Sequence, residues 1–512
     1  MSDSICLGID VGTTGAKALL IDADGAVLAE ATSEYPLDTP RPLWAEQDPQ
    51  RWFEATLASI TGVLEQAPGA AARVAAIGLT GQMHGLVLLD EHGQVLRPAI
   101  LWNDQRTGPQ CDEITRLVGR RRLLQLTGNP VLPGFTAPKL VWVRRHEPDL
   151  YARVAHVLLP KDYVRYRLTG ELVSDVSDAS GTALFDVGAR RWSDEMLAAL
   201  EIPPGWLPEV VESPVVCARL GADAARRCGL PAGVPVAGGA GDQAAQAVGT
   251  GIVHEGLVSA TLGTSGVVFA ASQSFRIEPD GRLHAFCHAV PGMWHLMGVM
   301  LSAAGSLRWY RDALGAAECE QARAQGTSVY ELLTAQAAQV PPGCEGLFFL
   351  PYLTGERTPH PDPHARGAFV GLTLRHNKAH LTRAVLEGVG YGMCDSLSLM
   401  RELGLTVERV RASGGGARSG LWRQIMADVF GCAVETLTVT QGAAYGAALL
   451  AGVAAGVYAD VPGACKQALA VADLIEPGPA AATYARLYPL YRGLYPALAD
   501  HFAATSAAVE TA

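Results

Sequence analysis

Apolar residues alternate with glycine-rich turns at the start of the chain. Three apolar runs lie within residues 5–31, separated by a glycine- and threonine-rich turn and by the pair Asp24-Gly25. This pattern predicts three consecutive antiparallel strands, since Asp-Gly is a strong hairpin signal. A second strand–turn–strand pattern covers residues 256–269. Because one such hairpin opens each half of the chain, we predict two related domains.

Most of the remaining chain has either helical spacing of apolar residues or short apolar runs. The pair Asp48-Pro49 is a helix start signal, and the apolar positions after it recur with a helical period. Further predicted helices cover residues 138–146, 160–168, 194–200, 302–314, 381–399 and 419–430. Further predicted strands cover residues 74–79, 86–89, 99–102, 234–237 and 410–413. This mixture of strands and helices indicates an α/β fold.

Two segments call for a separate interpretation. Residues 442–458 carry no charge and approach the length of a membrane span, but they are mostly alanine and glycine. We therefore predict a helix that packs closely against a sheet through its small residues. The last ten residues are expected to be disordered.

Asp242 lies at a predicted strand–turn–helix junction. Gly238, Gly239 and Gly241 crowd the turn before it, and strong helix-forming residues follow. An Asp at this position is most often a helix cap. The glycines favour a second reading, in which another molecule approaches the backbone closely at the mouth of a strand. Asp242 is thus a candidate general base.

Polar clusters follow two neighbouring predicted strands. One contains Gln82 and His84, and the other contains Asn103, Asp104 and Arg106. A single histidine after a strand is usually structural, but two polar clusters at adjacent strand ends need partners and suggest a ligand. Trp102, next to the second cluster, suits either a sugar face or the core.

Composition narrows the class of protein. A chain of 512 residues exceeds the size of one hydrophobic core, and 49% hydrophobic with 18% charged residues fits a soluble enzyme. The net charge of −11, without a Lys/Arg block, disfavours a nucleic-acid or anionic-membrane partner. The ten cysteines include no CxxC pair, and the N-terminus has no signal stretch, so reduced thiols and a cytoplasmic location are expected.

Taken in order along the chain, several motifs resemble those of the FGGY carbohydrate kinases. They are GIDVGTTGAK, GLTGQMHG, ILWNDQRT, GFTAPKLVWV, VAGGAGDQAAQAVG, TLGTSG, GERTPHPDPHARGAFVGL and SGGGARS. The resemblance implies an α/β, two-domain actin/hexokinase-like (ribonuclease H-like) fold with an active-site cleft between the domains. The implied division is 1–249 for the sugar site and first phosphate loop, 250–490 for the nucleotide site, and 491–512 for a terminal helix end and tail.

The resemblance also implies roles for individual residues. Asp242 falls at the position of the catalytic base. Met83 and His84 fall at the sugar site, where glycerol kinases have an Arg-Glu pair, so glycerol is disfavoured as substrate. The other implied positions are Trp102, Asn103 and Asp104 at a second sugar-facing turn; Gly12, Thr13, Thr14 and Lys17 at the first phosphate loop; Asp10 as a holder of hydrated Mg²⁺; Gly263 and Thr264 at the second phosphate loop; and Gly305, Gly415, Gly416 and Ser419 at the nucleotide.

The implied reaction is transfer of phosphate from ATP to a ketopentose, with D-xylulose to D-xylulose 5-phosphate as the first expectation. Phosphoryl transfer depends mainly on positioning and charge neutralisation, which two phosphate hairpins and Mg²⁺ supply. Two alternatives stay open: a kinase of the same family acting on another ketose or polyol, and a non-catalytic sugar sensor. The presence of both Asp10 and Asp242 argues against the sensor. The assembly, monomer or homodimer, also stays open.

Overall fold

The structure is a computed structural model that describes residues 3–510. In the first half the strands are β1 Ile5–Val11, β2 Gly15–Asp22, β3 Val27–Glu34, β4 Glu46–Gln47, β5 Val74–Gly81, β6 Val87–Leu89, β7 Ala99–Ile100, β8 His156–Leu158, β9 Val173–Asp175, β10 Phe185–Asp186, β11 Arg191–Trp192, β12 Glu209–Val211, β13 Val216–Arg219, β14 Pro235–Ala237 and β15 Ala240–Gly241. The helices are α1 Pro49–Gln66, α2 Gly108–Val118, α3 Arg120–Thr127, α4 Thr136–His146, α5 Pro148–Tyr151, α6 Pro160–Thr169, α7 Val176–Ala179, α8 Asp194–Ala199, α9 Ala222–Cys228 and α10 Asp242–Gly249.

These strands build a mixed sheet in the order β13-β14-β5-β1-β2-β3, with β15 also paired to β5. The pairs β1–β2 and β2–β3 are antiparallel, whereas β1–β5 and β14–β5 are parallel. Strand β1 is buried along almost its whole length, as expected for a central strand with an unbroken apolar sequence. The carboxyl ends of β1, β5 and β15 therefore meet at one edge of the sheet.

The second half repeats this arrangement. Its strands are β16 Gly256–Leu262, β17 Gly266–Ser272, β18 His284–Cys287, β19 Trp294–Met300, β20 Phe348–Leu350, β21 Ala368–Val370, β22 Val407–Ser413, β23 Ala433–Leu437 and β24 Val471–Ile475. Its helices are α11 Ala304–Leu314, α12 Ala316–Gln325, α13 Val329–Ala338, α14 Lys378–Glu402, α15 Gly420–Phe430, α16 Gly442–Ala454, α17 Val461–Ala468, α18 Ala481–Arg492 and α19 Leu494–Glu510.

The second sheet has the order β18-β19-β17-β16-β22-β23-β24. Five of its strands, β19-β17-β16-β22-β23, match β3-β2-β1-β5-β14 of the first sheet in their order along the chain. In both sheets the first two pairs of this series are antiparallel and the last two are parallel. The prediction of two related α/β halves, each opened by a hairpin, is therefore confirmed. The exact division at residues 249, 250 and 490 stays a prediction.

Helix α16 joins the two halves through small residues. It packs on β1, β5 and α10 of the first half. A Cβ atom on Gly78 would lie 1.9 Å from the Ala447 carbonyl oxygen, and one on Gly446 would lie 1.8 Å from that of Ala245. This confirms the prediction of a buried helix packed through small residues. Within residues 3–510, none of the helices combines the length and apolar character needed to span a membrane.

The end of the chain differs from expectation. Helix α19 continues to Glu510, where the sequence had suggested disorder from about residue 503. Phe502 and Ser506 of this helix are buried, so packing against the second half orders a segment of weak local character. Residues 511 and 512 lie outside the described part of the chain.

Candidate active site

The first predicted phosphate loop is the turn between β1 and β2. The Gly12 N–H donates to the Gly15 carbonyl at 3.0 Å, so it closes the turn and is not directed to a ligand. The N–H groups left to face a phosphate are those at the apex, Thr13 and the exposed Thr14. A turn of this kind presents amide and hydroxyl donors to an anion.

Asp10 is the last polar residue of β1 before this turn. Its Oδ1 is buried and accepts no hydrogen bond. Burial raises the Asp10 pKa to about 6, against a lowering influence of Lys17. Lys17 lies directly opposite on β2 and also pairs with Glu30 at 3.0 Å. The arrangement leaves one carboxylate oxygen free beside the phosphate loop.

Strand pairing brings Asp242 to the same edge. Asp10 is opposite Thr80 of β5, and Thr80 is opposite Ala240 of β15. Two strand spacings, roughly 10 Å, thus separate the backbones of Asp10 and Ala240. Asp242 follows two residues later as the first residue of α10. Burial, and next the charge of Asp10, raise the Asp242 pKa to about 7.

The structure corrects two parts of the sequence interpretation of this turn. The N-cap of α10 is Gly241, so Asp242 is the first residue inside the helix and not its cap. The Asp242 carboxylate accepts hydrogen bonds from the backbone and side chain of the next residue, Gln243. The space beside the glycines is filled by other parts of this chain and not by another molecule. A Cβ on Gly239 would lie 2.0 Å from the Leu79 carbonyl oxygen, and a Cβ on Gly241 would lie 2.9 Å from Met83 Cγ. They bring the Asp242 turn into close contact with β5 and with Met83, which follows β5.

His84 follows Met83 with a left-handed backbone, φ 69°. Such strain in a non-glycine residue persists only when neighbours enforce it. Here Thr136 Oγ1 and Lys139 Nζ both donate to the His84 carbonyl, at 3.1 and 2.8 Å. The ring Nδ1 lies 2.6 Å from the Gly181 carbonyl oxygen. Because a carbonyl can only accept, Nδ1 carries the proton and Nε2 is a free acceptor.

Electrostatics keep this histidine neutral. Burial, against the raising influence of the hydrogen bond to Gly181, lowers the His84 pKa to about 3, and the nearby charges of Lys139 and Arg357 contribute to this lowering. Phe135 lies against the ring, with centroids 4.7 Å apart. A neutral imidazole with an unprotonated Nε2, flanked by an aromatic ring, suits a donor such as a sugar hydroxyl.

The second predicted sugar-facing turn divides into exposed and buried parts. Trp102 is 45% exposed, and its indole N–H donates to Thr13 Oγ1 at 3.0 Å, so it lies beside the phosphate loop. The Oδ1 atom of Asn103 is buried without a partner. Asp104 is fully buried: it accepts from the Ala45 N–H and from Arg106. Its oxygens are already engaged inside the protein, so Asp104 holds the turn in place, and its predicted contact with a sugar stays a prediction.

The second predicted phosphate loop joins β16 to β17. Gly263 N–H closes the turn by donating to the Ser265 carbonyl at 3.0 Å, as Gly12 does in the first hairpin. Thr264 is exposed at the apex. Helix α11 begins against it: the Gly305 N–H donates to the Thr264 carbonyl at 3.1 Å, and a Cβ on Gly305 would lie 2.7 Å from that oxygen.

A cavity of about 550 Å³ opens next to this hairpin. Its volume lies in the range of small-molecule sites. Ser419, the N-cap of α15, accepts from the Trp422 N–H at 3.3 Å at its edge. The cavity brings together the predicted nucleotide-side residues Gly263, Thr264, Gly305, Gly415, Gly416 and Ser419, and adds Arg308, Tyr330 and Arg418.

Sequence reasoning missed the groups that hold the first phosphate loop. Gln47 Nε2 donates to the Thr13 carbonyl at 2.7 Å, and the Tyr35 hydroxyl donates to that of Gly12 at 2.6 Å. Gln82, noted only as part of a polar cluster, accepts from Thr13 Oγ1 at 3.2 Å. Local sequence gives no signal that Tyr35 and Gln47 return to the first turn.

The fold and these two phosphate hairpins are typical of one class of protein. The N-terminal domain of the FGGY family of carbohydrate kinases matches residues 5–249, and the C-terminal domain of that family matches residues 258–455. The chain belongs to the FGGY family of carbohydrate kinases.

Particular relatives are similar over nearly the whole chain. A xylulose kinase of Escherichia coli K12 is 45% identical over 450 residues, which cover 88% of this chain and 90% of the relative. The crystal structure of a xyloylose kinase from Brucella ovis superimposes with a TM-score of 0.89 at 42% identity, covering 97% of this chain and 99% of that one. A xylulose kinase from Rhodospirillum rubrum gives a TM-score of 0.91 at 34% identity, with 97% and 99% covered.

Proposed function

We propose that this FGGY kinase transfers phosphate from ATP to D-xylulose and forms D-xylulose 5-phosphate. The observation that carries the proposal is the meeting of three groups at one sheet edge: neutral His84, Asp242 and the unpartnered carboxylate of Asp10. The names of the similar kinases support the choice of sugar.

In the proposed reaction the C5 hydroxyl of the sugar attacks the terminal phosphorus of ATP. Asp242 accepts the hydroxyl proton as the new O–P bond forms and the bond to ADP breaks. His84 Nε2 accepts a hydrogen bond from another sugar hydroxyl and so orients the acceptor. The two hairpins, one in each half of the chain, hold the transferring phosphoryl group from opposite sides.

The residues present fit a magnesium ion. Mg²⁺ is commonly held by one or two carboxylates together with waters and substrate phosphates, and Asp10 Oδ1 is a buried oxygen without a hydrogen-bond partner beside the phosphate loop. Within residues 3–510, no group of three or more His, Cys, Asp or Glu side chains is arranged so that it could hold a metal ion by itself. Bound there, Mg²⁺ would neutralise phosphate charge.

A substrate panel tests the function. Purified protein with ATP and Mg²⁺ should phosphorylate D-xylulose with a kcat/KM at least ten times that for D-ribulose, L-xylulose, D-gluconate and glycerol. A better substrate elsewhere in the panel would replace D-xylulose but keep the kinase. Binding of D-xylulose by calorimetry without turnover of any sugar would favour the sensor alternative.

Location and assembly are also proposals. All ten cysteines are free thiols, most of them buried, which supports a reducing compartment and hence the cytoplasm. A homodimer remains one candidate assembly, and light scattering at several protein concentrations would decide it.

A further inference from the structure

A group of fully buried charged residues lies directly behind the Asp242 turn. Lys161 contacts Asp162, Asp175 and Asp178, and its Nζ lies 3.0 Å from Asp175 Oδ1 and 3.5 Å from Asp178 Oδ2. Arg165 lies 3.3 Å from Asp162. All five side chains are at most 1% exposed. Burying this many charges costs desolvation free energy that apolar residues of similar volume would not cost. These charges are therefore expected to have a role that apolar residues could not fulfil.

This buried cluster, residues Lys161, Asp162, Arg165, Asp175 and Asp178, is tied to the backbone that carries Asp242. Arg165 donates to the Gly238 carbonyl oxygen. Ser177 donates its hydroxyl to Asp175 Oδ2 at 2.6 Å, and its Oγ accepts the Gly241 N–H at 3.1 Å. Gly241 is the residue immediately before Asp242. One hydroxyl thus connects the buried carboxylate to the peptide group that aims the proposed base.

We propose that Ser177, held by Asp175, is a positioning residue that fixes the Asp242 carboxylate in the cleft. The inference deepens the proposed function and rests on it. Without the Ser177 hydroxyl, the buried Gly241 N–H loses its acceptor, and the first turn of α10 is free to shift. Misplacement of a catalytic group by about 1 Å can cost roughly 10²-fold in rate.

The charges of the cluster support this role. Neither oxygen of Asp178 accepts a hydrogen bond. Burial, against the lowering influence of Lys161, raises the Asp178 pKa well above its usual range, and the charges of Asp162, Asp175 and Asp242 add to the rise. The two cations of the cluster, Lys161 and Arg165, are each paired with carboxyl groups inside it. The cluster can therefore anchor the turn without an unpaired cation that would weaken Asp242 as a proton acceptor.

The chain offers a matched control. Ser213 is also fully buried and also donates its hydroxyl to Asp175 Oδ2, at 3.3 Å. It reaches the glycine turn only through its backbone carbonyl, which accepts the Gly239 N–H at 2.9 Å. Ser213→Ala therefore removes a hydroxyl from the same carboxylate and keeps the link from Asp175 through Ser177 to Gly241.

The test compares steady-state kinetics and thermal unfolding of the full-length variants with D-xylulose, ATP and Mg²⁺. Ser177→Ala should lower kcat at least tenfold and change both KM values less than threefold, whereas Ser213→Ala should stay within threefold in kcat. Similar melting temperatures would separate positioning from stability. Equal kcat in the two variants overturns the inference. Ser177→Cys preserves the volume with a poor acceptor. If Ser177→Ala does not fold, a Cys variant with at least half the wild-type kcat overturns it as well.

A double variant separates this inference from the proposed base. In an Asp242→Ala background, Ser177→Ala should cause less than a twofold further loss of the residual rate, because there is no carboxylate left to aim. A further tenfold loss would show that Ser177 acts on something other than Asp242. Full activity of Asp242→Ala alone would refute the base assignment itself, and the inference with it. Inactivity of Asp242→Ala combined with a normal Ser177→Ala would refute only the inference.

Discussion

Replacement of Asp242 by asparagine should abolish catalysis and at the same time stabilise the fold. The amide has nearly the same shape but cannot accept the proton of the attacking hydroxyl. General-base catalysis contributes about 10²–10⁴-fold, so we expect kcat to fall at least 100-fold. The fold should tolerate the change, because Asp242 is not the N-cap of α10 and the asparagine amide oxygen can still accept from Gln243.

The gain in stability follows from the pKa of Asp242. Burial and Asp10 raise that pKa from 3.8 to about 7 in the folded protein. The folded state therefore favours the protonated form, and the ionised form costs free energy as the pH rises from about 4 to about 7. A pKa difference of about three between the folded and the unfolded protein corresponds to a loss of at most about 4 kcal/mol in the free energy of unfolding. Because Asp242 is only partly buried, water screens its charge, and we expect about 1–3 kcal/mol at pH 8.

The assay is urea unfolding of wild type and Asp242→Asn at several pH values between 4.5 and 8.5, without ATP, sugar or Mg²⁺. The difference in unfolding free energy should favour the variant, grow between pH 4.5 and pH 7, and stay level above. A difference independent of pH, or a less stable variant at pH 8, would refute the reasoning about a destabilised carboxylate. A variant that keeps more than a tenth of kcat would refute the role of Asp242 as base.

Three further predictions concern the sugar site, the cleft and the contact between the halves. His84→Ala should raise the KM for D-xylulose at least tenfold and leave the KM for ATP within twofold, because the proposed partner of Nε2 is a sugar hydroxyl; the reverse pattern in steady-state kinetics would move His84 out of the sugar site. D-Xylulose, with a non-hydrolysable ATP analogue present, should reduce the radius of gyration in small-angle X-ray scattering, because the two phosphate hairpins lie in different halves and must approach each other; an unchanged radius with sugar binding confirmed by calorimetry would exclude sugar-driven closure. Gly78→Ala should cost about 1–3 kcal/mol or more in thermal unfolding, because its Cβ would lie 1.9 Å from the Ala447 carbonyl oxygen; Gly108→Ala, where a Cβ meets nothing within 4 Å, is the control, and equal costs for the two variants would contradict this packing argument.

The sequence by itself determined the local elements and the order of the motifs. Hairpin signals such as Asp24-Gly25, the start signal Asp48-Pro49 and the period of apolar residues depend only on neighbours along the chain. The structure has the corresponding elements, with Asp48 as the cap of α1. The ordered motifs identified the FGGY family for the same reason, since each motif is a short contiguous stretch.

Only the tertiary structure decided which of these residues work together. Strand pairing, which joins residues far apart in the chain, brings Asp10 and Ala240 to opposite sides of Thr80 and so places Asp242 at the same sheet edge as Asp10. Only the tertiary structure shows that Asp104, whose motif resembles a sugar site, is buried and that its oxygens accept from Ala45 and Arg106.

The contacts that support the Asp242 turn could not be predicted from the sequence either. The Ser177 hydroxyl and the Gly241 N–H are 64 residues apart and bonded at 3.1 Å. The sequence around Lys161 predicts an ordinary helix start, but in the structure Lys161 is buried against Asp175. A hydrogen bond between distant residues depends on the packing of whole elements, and no local pattern of polar and apolar residues encodes it.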